Sequence, residues 1–156
     1  MPRDPIPTCF FVLAAVRRGD HYLLVHEAKH GLLWYLPAGR VEPAEDFVEA
    51  AKRETLEEAG IPIEVDGFLK IEHTPSDFGT RVRLIVSARP MDDREPKTVA
   101  DEESLEARWF TIDEIRKLPL RGSEVLQIFT YLESGGPILP ISFLTREGEG
   151  FPEILP

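Results

Sequence analysis

The segment from Gly39 to Ile61 constrains this chain more than any other part of it. Its 23 residues read GRVEPAEDFVEAAKRETLEEAGI. Three acidic residues near its end, Glu54, Glu57 and Glu58, are spaced i, i+3 and i+4. In a helix with about 3.6 residues per turn, this spacing gathers the three side chains within about a third of the circumference. The segment therefore predicts a helix with one strongly acidic face.

Like charges on one helix face repel each other, so this face calls for a compensating cation. Carboxylate oxygens are the ligands that hard divalent cations prefer, and Mg²⁺ is the first candidate. A solvated acidic surface is the alternative interpretation, since many glutamate-rich helices are no more than that. The residues around the three glutamates favour the metal.

Turn and cap signals surround the acidic face. Residues 37–40, Pro-Ala-Gly-Arg, form a turn signal before the helix, and Gly60 ends it. Glu45 lies six residues after Gly39, and Arg53 directly precedes the first of the three glutamates.

This arrangement resembles the Nudix box, a motif that fixes glycine, glutamate, arginine and a Glu-Glu pair at set spacings. The chain matches the motif at Gly39, Glu45, Arg53, Glu54, Glu57, Glu58, Gly60 and Ile61. Thr55 departs from it, because the motif prefers an aliphatic residue at that position. Every polar functional position is present, so the resemblance to the Nudix hydrolase family is specific.

Composition limits the other classes of function. A chain of 156 residues suits a single domain, and its net charge of -10 argues against binding a nucleic-acid polymer or an anionic membrane. Cys9 is the only cysteine, which excludes an intramolecular disulfide, and we expect it to lie in the core. The sequence contains no secretory signal pattern and no apolar run near the roughly 18 residues of a membrane span, so the expectation is a cytoplasmic protein.

Apolar periodicity predicts the elements of a layered α/β domain. The first strand is apolar on both faces, which is typical of a central strand covered on each side. We predict an acidic, mobile loop over residues 92–106. The predicted strands cover residues 9–16, 21–27, 63–74, 81–88 and 107–110, and the predicted helices cover 44–59, a short turn capped by Thr111, and 124–133 capped by Ser123.

The composition changes after the last predicted helix. We predict a single domain over residues 1–136 and a proline-rich arm over residues 137–156. The arm could lie against its own subunit or against a second copy, and the second arrangement would give a homodimer.

The order of elements over residues 8–133 is similar to Nudix domains throughout. The resemblance implies an α/β/α sandwich with a mixed central sheet. It also implies hydrolysis of a phosphoanhydride bond in a nucleoside diphosphate linked to another group, with Mg²⁺ or Mn²⁺ as cofactor. Carried over by position, the metal ligands are the carbonyl of Gly39 and the carboxylates of Glu54, Glu57 and Glu58.

The resemblance assigns further roles around this metal. Arg53 would hold the glutamates in place, and Glu45 would brace the preceding loop against the helix. The general base that activates water would be Glu57, Glu58 or Glu103, because family members use either a box glutamate or one from a later loop.

We predict substrate contacts from the type of each residue and from its position in the sequence relative to the box. Arg40 and Arg81 are the preferred phosphate contacts among a wider set that includes Arg17, Lys29 and Arg83. Tyr35 is the preferred contact for the substrate's base, with Phe11, Phe78 and Asp101 as further candidates. Each of these residues also has an ordinary role in a core or a loop as its alternative.

Two segments, residues 27–45 and 100–109, look like the MutT-related branch of the family, which includes enzymes that degrade oxidised guanine nucleoside diphosphates. Sanitation of the nucleotide pool is therefore the leading hypothesis. An ADP-ribose pyrophosphatase is the alternative, because Pro75 lies fifteen residues after Gly60, near a proline of that subfamily. A Nudix-fold module that binds nucleotide without hydrolysing it is an alternative of another class.

Overall fold

The apolar run near the start of the chain forms the central strand of the sheet. In the computed structural model, which describes residues 3–153, strand β1 covers Thr8–Arg18. It pairs in parallel with β6 (Gly79–Pro90) along one edge and in antiparallel with β4 (Ala38–Arg40) and β2 (His21–His26) along the other. The predicted central strand and mixed sheet are therefore confirmed.

Over residues 3–153 the sheet has eight strands in the order β3-β2-β1-β6-β5-β8, with β4 paired to β1 and β7 paired to β2. The long hairpin of β5 and β6 lies on one side of β1, and the shorter strands β2, β3, β4 and β7 lie on the other. The remaining strands are β3 (Trp34–Tyr35), β5 (Ile63–Ser76), β7 (Glu106–Phe110) and β8 (Leu139–Pro140).

In the described part of the chain, three α-helices cover the sheet: α1 (Phe47–Ala59), α2 (Ile112–Ile115) and α3 (Glu124–Glu133). The predicted start of the first helix at Ala44 is wrong by three residues. Ala44 has a positive φ of 67°, and Asp46 caps the helix in a reciprocal capping box with Glu49. Thr111 caps α2 as predicted, whereas Ser123 has helical backbone angles and makes no side-chain cap to α3.

Alternate residues of β1 face two separate cores, because successive side chains of a strand point to opposite faces. One core lies under α1 and contains Val12 and Ala14. The other lies under α2 and α3 and contains Leu13 and Ala15. Helices therefore cover both faces, which confirms the α/β/α sandwich. Cys9 is half-buried at the end of β1 rather than in the core.

The acidic segment 92–106 is anchored to α1, in contrast to the mobile loop that we predicted. The Lys97 ammonium donates to the carbonyl of Glu57 at 2.9 Å. The buried Ser104 hydroxyl donates to the carbonyl of Glu58 at 2.6 Å. These bonds fix the segment on the last turn of the helix, where the carbonyl groups lack partners within the helix.

The first part of the predicted arm lies against its own subunit, because β8 pairs with β5. The end of the predicted arm, residues 154–156, lies outside the described residues, as do residues 1 and 2. The division at residue 136 stays a prediction. Within residues 3–153, no helix is long and apolar enough to cross a membrane.

Candidate active site

Helix α1 carries Glu54, Glu57 and Glu58 on one face, as predicted. The helix is closed at both ends, since Asp46 accepts from the backbone N–H groups of its first turn and Gly60, with φ of 72°, takes the left-handed conformation after its last. A helix fixed in this way is a rigid support for charged side chains that would otherwise push it apart.

Arg53 is the centre of the polar network beneath the glutamates. Its guanidinium binds Glu45 through two hydrogen bonds of 2.7 and 3.0 Å. One further nitrogen, Nη1, donates to Glu54 at 2.8 Å and to Glu57 at 3.1 Å. Nη2 also donates to the carbonyl of Arg40 at 3.0 Å. Arg53 therefore ties the loop before α1 to the acidic face, and its hydrogen bond lowers the pKa of Glu45.

Gly39 allows the closest approach of the backbone to the acidic face. A Cβ atom built at this position would overlap the carboxylate of Glu54. The φ angle of Gly39 is not positive, so the backbone conformation at this position does not require glycine. The absence of a side chain therefore serves the carboxylate of Glu54, whose side chain is only 13% exposed.

Replacing Gly39 by alanine is expected to displace the Glu54 carboxylate and lower kcat/KM at least about tenfold, the lower end of effects seen when metal-ligand support is lost. Steady-state kinetics with circular dichroism as a check on folding measures this. Gly150→Ala is the matched control, because a Cβ there meets open space. Equal activity of Gly39→Ala and wild type would show that the close approach has no function.

Glu58 is the most electrostatically strained group of the site. Burial, reinforced by the nearby carboxylates of Glu54, Glu27 and Glu103, raises its pKa to about 8, although the N–H of Ala38 donates to it at 3.0 Å. Burial also raises the pKa of Glu54, partly offset by its hydrogen bond from Arg53. Both carboxylates are thus unfavourable as isolated anions, and a cation beside them would relieve the repulsion.

The three glutamates are close but not yet gathered around one point. Within the described part of the chain, no group of three or more acidic, histidine or cysteine side chains is arranged as a ready metal site. The physical reason is that Arg53 holds Glu54 and Glu57 while Glu58 turns to the backbone of Ala38. The donor set nevertheless fits a hard divalent cation, since it consists of carboxylates crowded beside the side-chain-free Gly39.

A turn in the anchored acidic segment brings Glu103 beside the box. Asp101 accepts hydrogen bonds from the N–H groups of Glu103 at 2.9 Å and Ser104 at 3.1 Å, and it also binds Lys97. These bonds lower the pKa of Asp101 to about 2. Asp101 therefore shapes the turn and is not free to contact a substrate's base. Glu103, in contrast, lies at the edge of a cleft beside the acidic face.

A cleft of about 270 Å³ opens beside the acidic face. Its walls come from strands β1, β3, β4 and β6, the loop after β2, helix α1, and the segments before β7 and α3. Of the predicted site residues, it contains Tyr35, Gly39, Glu58, Arg81 and Glu103, together with Phe11, Glu27, Lys29, Arg83 and Arg121. Arg17, Phe78 and Arg40 do not line it.

The arginines of the cleft differ in their partners. Arg83 binds both Glu72 and Glu124, each at 2.6 Å, so its charge is already neutralised. Arg81 instead lies over the ring of Phe11 at 4.3 Å, and no carboxylate partner is found for it among residues 3–153. Arg81 is therefore the arginine of the cleft best placed for a phosphate.

Arg40 does not line the cleft. Its guanidinium lies beside the sulfur of Cys9, at 3.8 Å. Its backbone carbonyl, rather than its side chain, takes part in the site by accepting from Arg53. A phosphate contact through Arg40 stays a prediction.

Tyr35 belongs to a network of residues that sequence reasoning did not find. Its hydroxyl donates to Glu124, and the guanidinium of Arg121 lies over its ring at 4.7 Å. Burial and the hydrogen bond to Glu124 raise the pKa of Tyr35 to about 12. Arg121 in turn binds Glu27 at 2.7 Å, and the other carboxylate oxygen of Glu27 is buried without a hydrogen-bond partner in the described structure.

No local pattern in the sequence pointed to these partners. Glu27 and Arg121 are 94 residues apart, and Tyr35 and Glu124 are 89 apart. The packing of α3 and the segment before it against the sheet brings them together beside the cleft.

Comparison with known protein families agrees with this geometry. Residues 8–129 match the model of the NUDIX domain. This range contains every strand from β1 to β7 and the whole candidate site.

Two relatives illustrate the similarity in sequence. The human 8-oxo-dGDP phosphatase NUDT18 is 39% identical over 124 residues, which are 77% of this chain and 37% of the human protein. Phosphatase NudJ of Shigella boydii serotype 4 is 30% identical over 126 residues, which are 80% of this chain and 82% of that protein. The chain thus spans less than two fifths of the length of the first relative.

A solved structure shares the fold over nearly the whole chain. A NUDIX hydrolase from Nitrosomonas europaea superposes with a TM-score of 0.75 at 29% identity, covering 92% of this chain and all of that one. The similarity extends past residue 129, where the match to the family model ends.

Proposed function

This chain belongs to the NUDIX domain family, and on that premise we propose that it is a Mg²⁺-dependent hydrolase of nucleoside di- or triphosphates. The observation that carries the proposal is the joint placement of the acidic face of α1 and the cleft beside it. The cleft offers Arg81 as a phosphate contact at one wall and Glu58 at the other. The predicted membership of the MutT-related branch is confirmed by the similarity to the oxidised-guanine nucleotide phosphatases.

The residues that would hold the metal are Glu54, Glu57, Glu58 and the carbonyl of Gly39. A phosphoanhydride carries several negative charges that repel an attacking oxygen, and a bound divalent cation supplies the neutralisation that this net acidic chain lacks. Arg53 contributes by fixing Glu54 and Glu57 from below. Mn²⁺ has the same preference for oxygen ligands and is the alternative ion.

The hydrolysis itself joins a water oxygen to phosphorus and breaks one phosphorus–oxygen bond of the anhydride. A carboxylate must accept the water proton, and the candidates are Glu57, Glu58 and Glu103. The side chain of Glu57 is 43% exposed, and Glu103 lines the cleft together with Glu58. Arg81 would neutralise the phosphate oxygens that the metal leaves free.

The substrate class that we favour is an oxidised guanine nucleoside diphosphate. The name of the human relative supports it, and the cleft is lined by Tyr35 and by Arg121, whose guanidinium lies over the tyrosine ring. Nothing in the geometry favours ADP-ribose. Pro75 pairs with Thr80 near the tip of the β5–β6 hairpin and does not line the cleft.

A panel of nucleotides tests the proposal. We expect Mg²⁺-dependent release of phosphate or pyrophosphate, with the highest kcat/KM for oxidised guanine diphosphates, when products are separated by chromatography. Glu57→Gln should lose the activity while remaining folded, and Glu64→Gln, an exposed carboxylate paired with Lys52, should keep it. Specific binding of a nucleotide without turnover would instead identify a non-catalytic module.

Glu103 can be tested separately as the general base. If it accepts the water proton, Glu103→Gln lowers kcat about 100-fold or more, and the Mg²⁺ concentration for half-maximal activity does not change. If it only binds metal, the Mg²⁺ requirement rises instead. Glu95→Gln, an exposed acid of the same segment, serves as the control. Unchanged kcat and Mg²⁺ requirement would exclude Glu103 from the reaction.

The proposal also includes two predictions made from the sequence. One is a cytoplasmic location, and the other is a homodimer formed through the arm.

A further inference from the structure

The proline-rich arm is built into the edge of the sheet. Leu139 and Pro140 pair with Phe68 and Gly67 of β5. Gly67 is required there by space, since a Cβ atom would overlap the carbonyl oxygen of Leu139. Because only glycine leaves room for the arm at this position, the arm binds the subunit at a defined place.

After Pro140 the arm runs toward α1. A short 3-10 helix covers Ile141–Phe143. The side chains of Ile141 and Leu144 are partly buried and pack against the core that lies under α1. Phe143, between them, is 66% exposed. The arm therefore has an inner and an outer side over this stretch.

The arm then reaches the loop that precedes the box helix. Leu144 shares a cleft of about 410 Å³ with Phe10, Val41, Glu45 and Phe47. These residues are connected to each other, because the rings of Phe10 and Phe47 meet edge to face at 5.9 Å and the N–H of Val41 donates to the carbonyl of Phe10 at 2.9 Å. The arm thus lies beside the N-terminal end of α1, across this cleft.

Glu45 connects this region to the acidic face. It accepts two hydrogen bonds from Arg53, and Arg53 binds Glu54 and Glu57 with its remaining donors. Hydrogen bonds between Glu42 and Glu45 fix the middle of its loop, the N–H of Val41 fixes one end on the carbonyl of Phe10, and the capping box of Asp46 and Glu49 fixes the other. Packing of apolar side chains from outside the loop adds to these bonds.

We infer that the arm is a positioning element for the box, in which Leu144 holds the Val41–Phe47 loop so that Glu45 stays on Arg53. The inference rests on the proposed metal site. It concerns residues beyond the part of the chain that matches the family model, which ends at residue 129. Leu144 acts through Glu45 and Arg53 and touches no reacting group.

The test compares two neighbouring residues of the arm. Leu144→Ala removes the inner contact, and Phe143→Ala removes an exposed ring of similar apolar character. We expect the dissociation constant for Mg²⁺, measured by calorimetry without nucleotide, to rise about fivefold for Leu144→Ala, somewhat less than the loss of a direct ligand support. Phe143→Ala should bind Mg²⁺ like wild type, and Leu144→Met, which keeps the volume, should restore affinity.

A double-mutant cycle separates positioning from general destabilisation. Glu45→Gln alone should weaken Mg²⁺ binding, and adding Leu144→Ala to it should cause less than about a twofold further loss, because the path through Glu45 is already broken. A merely structural effect of Leu144 would instead add fully to that of Glu45→Gln. Full additivity would overturn the inference.

The outcomes distinguish the inference from the proposed function. If wild type binds Mg²⁺ and Leu144→Ala binds it equally well, the inference is wrong and the proposed function stands. If wild type binds no Mg²⁺, both are wrong.

Discussion

Replacing Glu58 by glutamine is expected to abolish hydrolysis and, at the same time, to stabilise the metal-free protein. The activity should fall at least about 100-fold, because a buried carboxylate next to the reacting phosphate is lost. The stability should rise because glutamine carries no charge to bury beside Glu54, Glu27 and Glu103. A variant that loses function yet gains stability would mark Glu58 as a residue kept for chemistry.

The pH dependence of this stabilisation follows from the raised pKa of Glu58. Its pKa is about 8 in the folded chain against an ordinary value of 4.5. The unfolded chain therefore releases the proton first as pH rises, and the folded state loses stability between about pH 4.5 and pH 8. Below that window the carboxyl is protonated in both states, and the cost vanishes.

Urea unfolding of wild type and Glu58→Gln in the presence of a chelator measures the effect. The difference in the free energy of unfolding should be near zero at pH 4.5 and about 1 to 3 kcal/mol in favour of the variant at pH 8. Because other groups titrate equally in both proteins, only the difference between the two curves matters. A wild type that is more stable than the variant at pH 8 would show that Glu58 has favourable partners even without metal.

Replacing Arg53 by lysine should be almost as harmful as removing a glutamate. Lysine keeps the positive charge but has a single ammonium, which cannot bind Glu45 in a bidentate manner while also reaching Glu54 and Glu57. We expect kcat/KM to fall about 100-fold and the Mg²⁺ requirement to rise about tenfold or more. The loss of hydrogen bonds within this partly buried network should lower the free energy of unfolding by about 1 to 2 kcal/mol.

Arg94→Lys is the matched control for this change. Arg94 is exposed and binds only Asp92, two residues before it, so its replacement should leave activity, Mg²⁺ requirement and stability unchanged. Equal behaviour of Arg53→Lys and Arg94→Lys would mean that Arg53 is an ordinary surface residue, and the proposed support for the glutamates would be wrong.

Local patterns were enough to predict the elements that depend on short-range order. Continuous apolar runs located β1 and β2, and alternating apolar residues located β6 of the β5–β6 hairpin. The spacing of Glu54, Glu57 and Glu58 located the acidic face of α1. Both signals work because strand and helix periods are properties of neighbouring residues. The start of α1 was missed because Asp46, rather than an earlier residue, satisfies the free N–H groups of the first turn.

Contacts between distant segments could not be predicted in the same way. Arg83 was a candidate phosphate ligand by type, but Glu72 on the neighbouring strand and Glu124 on α3 neutralise it. The anchoring of the acidic segment depends on Lys97 meeting a carbonyl 40 positions away. Charge composition alone suggested a mobile loop, since it does not reveal which backbone groups lie within reach.

Calorimetry measures Mg²⁺ binding directly in wild type and in the Glu54→Gln/Glu57→Gln double variant. This measurement tests whether the acidic face is a metal site. We predict saturable binding by wild type, strengthened by a nucleotide product, and binding weakened at least about 100-fold in the double variant. Hydrolysis that continues in the double variant, or Mg²⁺ binding that is equal in the two proteins, would contradict the assignment of the metal to these residues.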